Sequence, residues 1–202
     1  MDVILQEVRH RLPVSDESRR LFHGRGHCFA GYEDILLDWF KPVVLISLYA
    51  PRDEEWLDRL TSLLRGEIPE LGGVIVQERF LSETPVRLLW GEQPAEIDAV
   101  ERGLHYRLRL GNAQNIGFFP DMQAGRQLVR DLSEKKKVLN LFSYSCSFSV
   151  AALSAGATQV VNVDMNRGAL ELGRVNHQLN DLDLRKASFL PLEILRSFSR
   201  LR

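Results

Sequence analysis

Hydrophobic and polar positions follow two different periods along this chain of 202 residues. In the first half, runs of β-branched and aromatic residues predict strands at 34–40, 43–49 and 72–80. A helical period over 51–66 predicts one helix between them, and alternation on both sides of Arg102-Gly103 predicts a hairpin. The segment from Pro85 to Pro94 is expected to be a loop. These elements predict a small α+β domain over residues 1–110.

The second half alternates between strand and helix periods. A helix is predicted over 121–137, with Leu128, Val129 and Leu132 facing a sheet. Further elements are predicted at 138–142 (strand), 147–155 (helix), 159–164 (strand), 166–180 (helix) and 187–190 (strand), before an amphipathic segment with Leu192, Leu195 and Phe198. Alternating strands and helices are typical of a parallel sheet with right-handed crossovers. Residues 111–202 are therefore predicted to form an α/β domain.

The turn "SYSCSFS" between the strand at 138–142 and the next helix contains no glycine. Dinucleotides need glycines there, because their pyrophosphate approaches the backbone closely. S-adenosylmethionine has no phosphate, and its carboxylate and ribose suit small polar side chains and the amides of a helix starting near Ser147. Asp164, at the end of the next strand, is placed to accept the ribose hydroxyls. A crossover unit without a ligand fits the pattern equally well, and Asp164 also suits a helix N-cap.

Charge and cysteine content exclude several classes of protein. The net charge of −1 gives no overall positive field, and no apolar stretch is long enough to span a bilayer. Two distant cysteines, Cys28 and Cys146, argue against a disulfide framework and favour a reducing cytoplasm. His23, His27 and Cys28 lack a fourth ligand nearby, so no metal site is predicted.

A basic cluster near the start of the chain is a candidate RNA-binding surface. Residues 9–27 contain only two acidic residues but five arginines, namely Arg9, Arg11, Arg19, Arg20 and Arg25. Such a cluster can follow an RNA backbone, with Phe22 or Phe29 available for stacking, or it can be an ordinary solvated face.

Three segments, "GNAQNIGFFPDMQAGRQLVR", "KVLNLFSYSCSFSVAALSAGATQVVNVDMNRGALELGRVNHQLN" and "SFLPLEILRSF", resemble class I S-adenosylmethionine-dependent methyltransferases. The resemblance is to the bacterial family related to the 23S ribosomal RNA large-subunit methyltransferases I and K. "RRLFHGRGHCF" and "LLDWFKPVVLISLY" resemble the accessory region of its shorter members. The resemblance implies an α/β fold, with a Rossmann-like methyltransferase domain preceded by a small α+β domain that presents RNA.

The resemblance also assigns cofactor-binding positions, which are Gln114, Asn115, Ile116, Phe119, Phe142, Ser143, Tyr144, Ser145, Cys146, Asp164, Met165, Asn166 and Glu193. It implies that the segment around Gly117 closes over the cofactor, braced by Asp121 and Arg126. Ile116 and Pro120 depart from the threonine and leucine common in the family, and Ser145-Cys146-Ser147 replaces a stretch that usually includes glycine.

Three of these residues also have simpler interpretations. Cys146 is either a nucleophile or, more commonly at such a turn, a small buried hydrophobic residue. Tyr144 either stacks on a ring or covers the sheet edge, and Glu193 suits a helix face exposed to water. No catalytic residue is assigned.

The predicted function is methyl transfer from S-adenosylmethionine to a base of RNA, in particular ribosomal RNA, in the cytoplasm. Alternatives are a cofactor-binding module without turnover and an NAD-dependent oxidoreductase, which the glycine-free turn disfavours. Residues 112–202 contain two clear strands and a short third, so the methyltransferase domain is expected to be incomplete at its C-terminus. We expect a longer polypeptide, a second chain or a homo-oligomer to complete the sheet, and we expect the 202-residue chain alone not to methylate RNA.

Overall fold

The structure, a computed structural model, describes residues 1–12, 15–110 and 115–197. The chain divides into two compact units. Unit 1 comprises Met1–Val100 and Leu108–Ile116, and unit 2 comprises Glu101–Arg107 and the chain from Gly117 onward. The predicted domain boundary after residue 110 stays a prediction.

Unit 1 is built around a five-stranded sheet. Its elements are α1 (Asp2–His10), β1 (Arg19–His23), β2 (Ile35–Phe40), β3 (Val43–Leu48), α2 (Glu54–Glu67), β4 (Gly73–Glu78) and β5 (Val86–Gly91). The strands lie in the order β1-β2-β3-β4-β5, with β3 and β4 parallel and the other pairs antiparallel. β2 and β3 are buried along their whole length, which explains their nearly continuous apolar sequences.

Three elements of unit 1 were not predicted from the sequence, namely α1, β1 and β5. The expectation of a loop from Pro85 to Pro94 is wrong, because β5 occupies Val86–Gly91. β5 lies at one edge of the sheet, and its residues are half-buried or exposed instead of alternating cleanly. The strand therefore lacks the period on which its prediction would depend.

The first boundary between the two units in sequence falls within a hairpin. This hairpin consists of β6 (Ile97–Glu101) and β7 (Leu104–Leu108), which form a separate two-stranded sheet. The hairpin predicted around Arg102-Gly103 is therefore confirmed, and both residues of its turn have positive φ.

Unit 2 contains a three-stranded parallel sheet flanked by helices. A 3-10 turn (Pro120–Met122) leads to α3 (Gln123–Leu132), β8 (Lys137–Leu141), α4 (Ser147–Ser154), β9 (Gln159–Asp164), α5 (Arg167–Leu179), β10 (Ala187–Pro191) and α6 (Ile194–Ser197). The strand order is β10-β9-β8, and both pairs are parallel. The predicted succession of strands and helices is confirmed.

The prediction that three apolar residues of α3 face the sheet is wrong for two of them, Leu128 and Leu132. Val129 packs against the core, whereas Leu128 is 59% exposed and Leu132 65% exposed. The inward face of the helix instead carries Arg126 and Val129, because Arg126 forms a buried ion pair with Glu101. In the final segment Ile194 is buried and Leu195 is exposed, while Phe198 lies outside the described residues.

Candidate cofactor-binding site

The carboxyl ends of β8, β9 and β10 meet at one edge of the unit 2 sheet. Leu141 pairs with Val163 across β8 and β9, and Pro191 pairs with Asp164 across β10 and β9. The predicted positions 142–146 follow β8 directly, positions 164–166 begin at the last residue of β9, and Glu193 lies two residues beyond β10. Such an edge is where open parallel sheets bind their ligands.

The turn after β8 adopts, without glycine, a backbone that glycine normally provides. Phe142, Tyr144 and Cys146 have φ values of 54°, 47° and 60°, in the left-handed region that most side chains avoid. Backbone hydrogen bonds hold the turn, from Ser143 N to the Val163 carbonyl at 3.1 Å and from Cys146 N to the Ser143 carbonyl at 2.8 Å. Strained residues that are fixed in this way are concentrated at binding sites.

Asp164 connects the two strand ends through its carboxylate. Its Oδ2 accepts a hydrogen bond from Tyr144 N at 2.8 Å, and its Oδ1 accepts one from Asn166 N at 2.8 Å. A carboxylate has about four acceptor positions, so each oxygen retains one for a ligand hydroxyl. The alternative of Asp164 as N-cap of α5 is wrong, because Asn166 is that cap and accepts from Ala169 N at 3.1 Å.

Ser145 and Cys146 are turned into the protein. Ser145 Oγ donates to the Gly117 carbonyl at 2.5 Å, and the Ser145 carbonyl accepts from Asn176 Nδ2 at 2.9 Å. The Cys146 side chain is fully buried against α5, where Gly173 leaves room for its sulfur. Burial raises the pKa of the Cys146 thiol to about 12. This environment matches the interpretation of Cys146 as a small buried hydrophobic residue.

Alkylation of the native chain with iodoacetamide at about pH 8 is expected to label one of the two cysteines. Cys28 is exposed, whereas the raised pKa and burial of Cys146 should slow its reaction by about a thousandfold. Peptide mass mapping before and after denaturation measures both rates. Equal labelling of Cys146 in the folded chain would contradict this assignment.

Large apolar side chains are exposed beside Asp164. Phe142 is 70% exposed and Met165 is 74% exposed, each one residue beyond the end of its strand. Asn166 and Glu193 are also exposed at this edge, and Ser143 is buried. The ring of Tyr144 lies 5.6 Å from that of Phe119, between ring centres. The edge therefore offers a carboxylate flanked by apolar surface, which suits a nucleoside.

The segment predicted to close over the cofactor is divided between the two units. Gln114 lies outside the described residues, and Asn115 and Ile116 belong to unit 1. Asn115 is exposed and Ile116 is buried. In unit 2, Phe119 is partly exposed and Asp121 is exposed.

Arg126 is the buried anchor of the unit 2 part of this segment. Its side chain is 1% exposed and donates to the Phe119 carbonyl at 3.1 Å. It also donates to both carboxylate oxygens of Glu101, at 2.8 and 2.6 Å. Sequence analysis missed Glu101, although the alternation of β6 places it on the inward side with Ile97 and Ala99.

The five arginines of the predicted RNA-binding cluster do not form one free basic surface. Arg9 pairs with Glu67, Arg11 with Glu7 and Arg20 with Asp38. Arg19 donates to the Arg11 carbonyl and to Ser15 Oγ. Arg25 lies over the ring of Tyr49. Sequence proximity therefore overstated the positive charge that this region presents.

Neither a membrane-spanning helix nor a cluster of metal ligands is present in the part of the chain that the structure describes. No helix there combines the length and the hydropathy needed to cross a membrane. Within residues 1–12, 15–110 and 115–197, no group of three or more His, Cys, Asp and Glu side chains is arranged to hold a metal ion.

Comparison with known proteins gives one consistent result. A family model described as S-adenosylmethionine-dependent methyltransferase matches residues 19–202. A relative from Shigella boydii, named ribosomal RNA large subunit methyltransferase I, is 32% identical over 186 residues, which cover 89% of this chain and 46% of the relative. This chain thus spans about half the length of the curated relatives it matches.

Solved structures have the same fold. A methyltransferase from Streptococcus mutans is similar with a TM-score of 0.84 and 25% identity, over 100% of this chain and 55% of that one. A methyltransferase complexed with SAH is similar with a TM-score of 0.85 and 24% identity, over 100% of this chain and 54% of that one. The predicted Rossmann-like methyltransferase fold is confirmed.

Proposed function

Because this chain belongs to the family of S-adenosylmethionine-dependent methyltransferases, we propose that it takes part in methyl transfer from S-adenosylmethionine to a base of RNA. The observation that carries this proposal is the Asp164 carboxylate at the carboxyl end of β9, held by two backbone N–H groups beside the strained turn. The bound cofactor would supply an electrophilic methyl group on its sulfonium sulfur.

Each part of the site has a distinct role in holding the cofactor. The free acceptor positions of Asp164 receive the ribose hydroxyls, and the exposed side chains of Phe142 and Met165 provide apolar contact for the purine. The first N–H groups of α4 have no acceptor within the helix and suit the methionine carboxylate. Glu193, at the end of β10, is the proposed neighbour of the adenine amino group.

RNA, and ribosomal RNA in particular, is the proposed substrate. Support comes from the relative named as a ribosomal RNA large subunit methyltransferase, which is 32% identical over most of this chain. Because ribosomal RNA is modified where ribosomes are made, we also infer a cytoplasmic location. The buried thiol of Cys146 is no part of the proposed chemistry.

Asp164→Ala is expected to weaken binding of S-adenosylhomocysteine by about 1.5 to 3 kcal/mol, because a charged acceptor of two hydroxyl groups is lost. This corresponds to an increase of the dissociation constant by a factor of about 10 to 150, measured by titration calorimetry. Wild-type chain should bind this cofactor product and should not bind NADH.

The matched control for this prediction is Asp183→Ala. Asp183 is another carboxylate of unit 2 that accepts from a backbone N–H, that of Arg185, but it precedes β10 and lies away from the carboxyl ends of the strands. It should leave the dissociation constant unchanged. Circular dichroism checks that the Asp164 variant is folded, and an unchanged affinity in a folded variant would remove Asp164 from the site.

A further inference from the structure

A pair of arginines meets on one aromatic ring of unit 1. The guanidinium carbon of Arg25 lies 4.0 Å from the centre of the Tyr49 ring, and that of Arg79 lies 5.1 Å from the same centre. The three residues are far apart in sequence, in the loop after β1, just after β3 and just after β4. We call Arg25, Tyr49 and Arg79 the Tyr49 surface.

Both guanidinium groups of the Tyr49 surface have donors to spare. Arg25 is exposed, and its described contact is the Tyr49 ring. Arg79 donates through Nη2 to Asn115 Oδ1 at 3.4 Å, while its buried Nε has no hydrogen-bond partner in the described part of the chain. A guanidinium has five N–H donors, so both groups are able to bind an anion. Among the residues that the structure describes, neither group pairs with a carboxylate, unlike the guanidinium groups of Arg9, Arg11 and Arg20.

We propose that the Tyr49 surface binds the phosphates of single-stranded RNA. Guanidinium groups bind phosphate oxygens with paired hydrogen bonds, and the ring holds both cations in place before RNA arrives. The net charge of −1 means that attraction of RNA must come from such a local site and not from the whole molecule. This inference rests on the proposed function. It keeps Arg25 of the predicted arginine cluster and replaces the other four arginines with Tyr49 and Arg79.

Arg79 also contacts Asn115, outside the Tyr49 surface. Its contact with Asn115 links the surface, within unit 1, to the segment predicted to close over the cofactor. Phosphate bound at Arg79 competes for the donors that Asn115 uses. RNA binding is therefore expected to alter the environment of Asn115, which amide NMR of that residue would detect.

The test is fluorescence anisotropy of a labelled oligouridylate of about 12 nucleotides, titrated with the full 202-residue chain at several salt concentrations. Arg25→Ala with Arg79→Ala should weaken binding by about tenfold or more and lower the salt slope by about 1.4, which corresponds to two phosphate contacts. Tyr49→Ala should also weaken RNA binding, while Tyr49→Phe, which keeps the aromatic ring, should bind RNA as the wild type does.

The matched control is Arg65→Ala. Arg65 also lies over an aromatic ring of unit 1, at 4.3 Å from the centre of Trp90, so its removal deletes the same charge and the same kind of contact. It should change neither the affinity nor the salt slope. Equal losses in the control and in the test variants would overturn the proposal, as would a wild-type chain that does not bind the oligonucleotide.

Two parallel measurements separate this proposal from others. Calorimetry with S-adenosylhomocysteine reports on the proposed function, and Arg25→Ala should bind it as the wild type does, because the described contact of Arg25 is the Tyr49 ring. An unchanged RNA affinity in the Arg25 and Arg79 variants would remove the Tyr49 surface but not the cofactor site. Binding of polyglutamate as tightly as RNA would assign the surface to an acidic polypeptide and overturn the assignment to RNA.

Discussion

Replacing Glu101 with alanine is expected to lower the free energy of unfolding of unit 2 by about 3 to 5 kcal/mol. Glu101 is the carboxylate partner of Arg126, and both side chains are almost completely buried. The variant leaves the guanidinium charge without its counterion, over the ring of Phe118, which stacks on that of Tyr106. The cost comes from this uncompensated charge more than from the lost attraction.

The positions of the tryptophans allow the effect to be assigned to unit 2. All three, Trp39, Trp56 and Trp90, lie in unit 1, so tryptophan fluorescence reports on that unit and should change little. Hydrogen exchange of the amides in α3, β8 and β9 measures the stability of unit 2 directly. A loss below about 1 kcal/mol would show that the pair is dispensable.

Two further variants test whether the uncompensated charge of Arg126 causes the loss of stability. Glu171→Ala removes an exposed carboxylate of the same unit, 3.6 Å from Arg174, and should cost less than about 1 kcal/mol. Glu101→Leu combined with Arg126→Leu removes both charges and should recover much of the stability lost in Glu101→Ala. Because Arg126 also holds the Phe119 carbonyl, Glu101→Ala should weaken cofactor binding as well.

The parts of the fold that could be predicted are those whose burial follows a simple period. β2 and β3 are buried on both faces, so their sequences are nearly continuously apolar. β8, β9 and α5 follow clear strand and helix periods and are bounded by turns that the sequence indicates. β5 escaped prediction because its half-buried residues follow no clear period. Leu128 and Leu132 were placed inward because apolar spacing cannot show that a buried ion pair occupies the inner face of α3.

The sequence could predict only those residues of the site whose positions follow from the ends of the strands. Asp164 and the turn 142–146 could be located because the ends of parallel strands meet at one edge. Charge pairing could not be predicted, because the partners are distant in sequence: Arg9 pairs with Glu67 and Arg20 with Asp38. Five arginines close in sequence therefore appeared to be one basic cluster, while Arg25 and Arg79, which lie over the same ring, are separated in sequence by three strands.

Gly173→Ala is expected to lower the stability of unit 2 by about 3 kcal/mol, even though alanine favours a helix by about 1 kcal/mol. A Cβ at position 173 would lie 2.3 Å from Cys146 Sγ and 2.9 Å from Cys146 Cβ, closer than side chains pack. Cys146 is not free to withdraw, because its N–H is bonded to the Ser143 carbonyl. The strained turn must therefore move, and hydrogen exchange and cofactor calorimetry should both report the change.

Gly125→Ala is the matched control for Gly173→Ala, and Cys146→Gly is the rescue. Gly125 also lies in a helix of unit 2, but its nearest neighbour would be 3.4 Å from the new Cβ, so alanine should be neutral or stabilising there. Cys146→Gly removes both clashing atoms, and glycine accepts the φ of 60° at that position. In the double variant the cofactor affinity should return, because the turn regains its place beside Asp164. A Gly173→Ala chain with wild-type stability and affinity would show that α5 can shift without moving the turn.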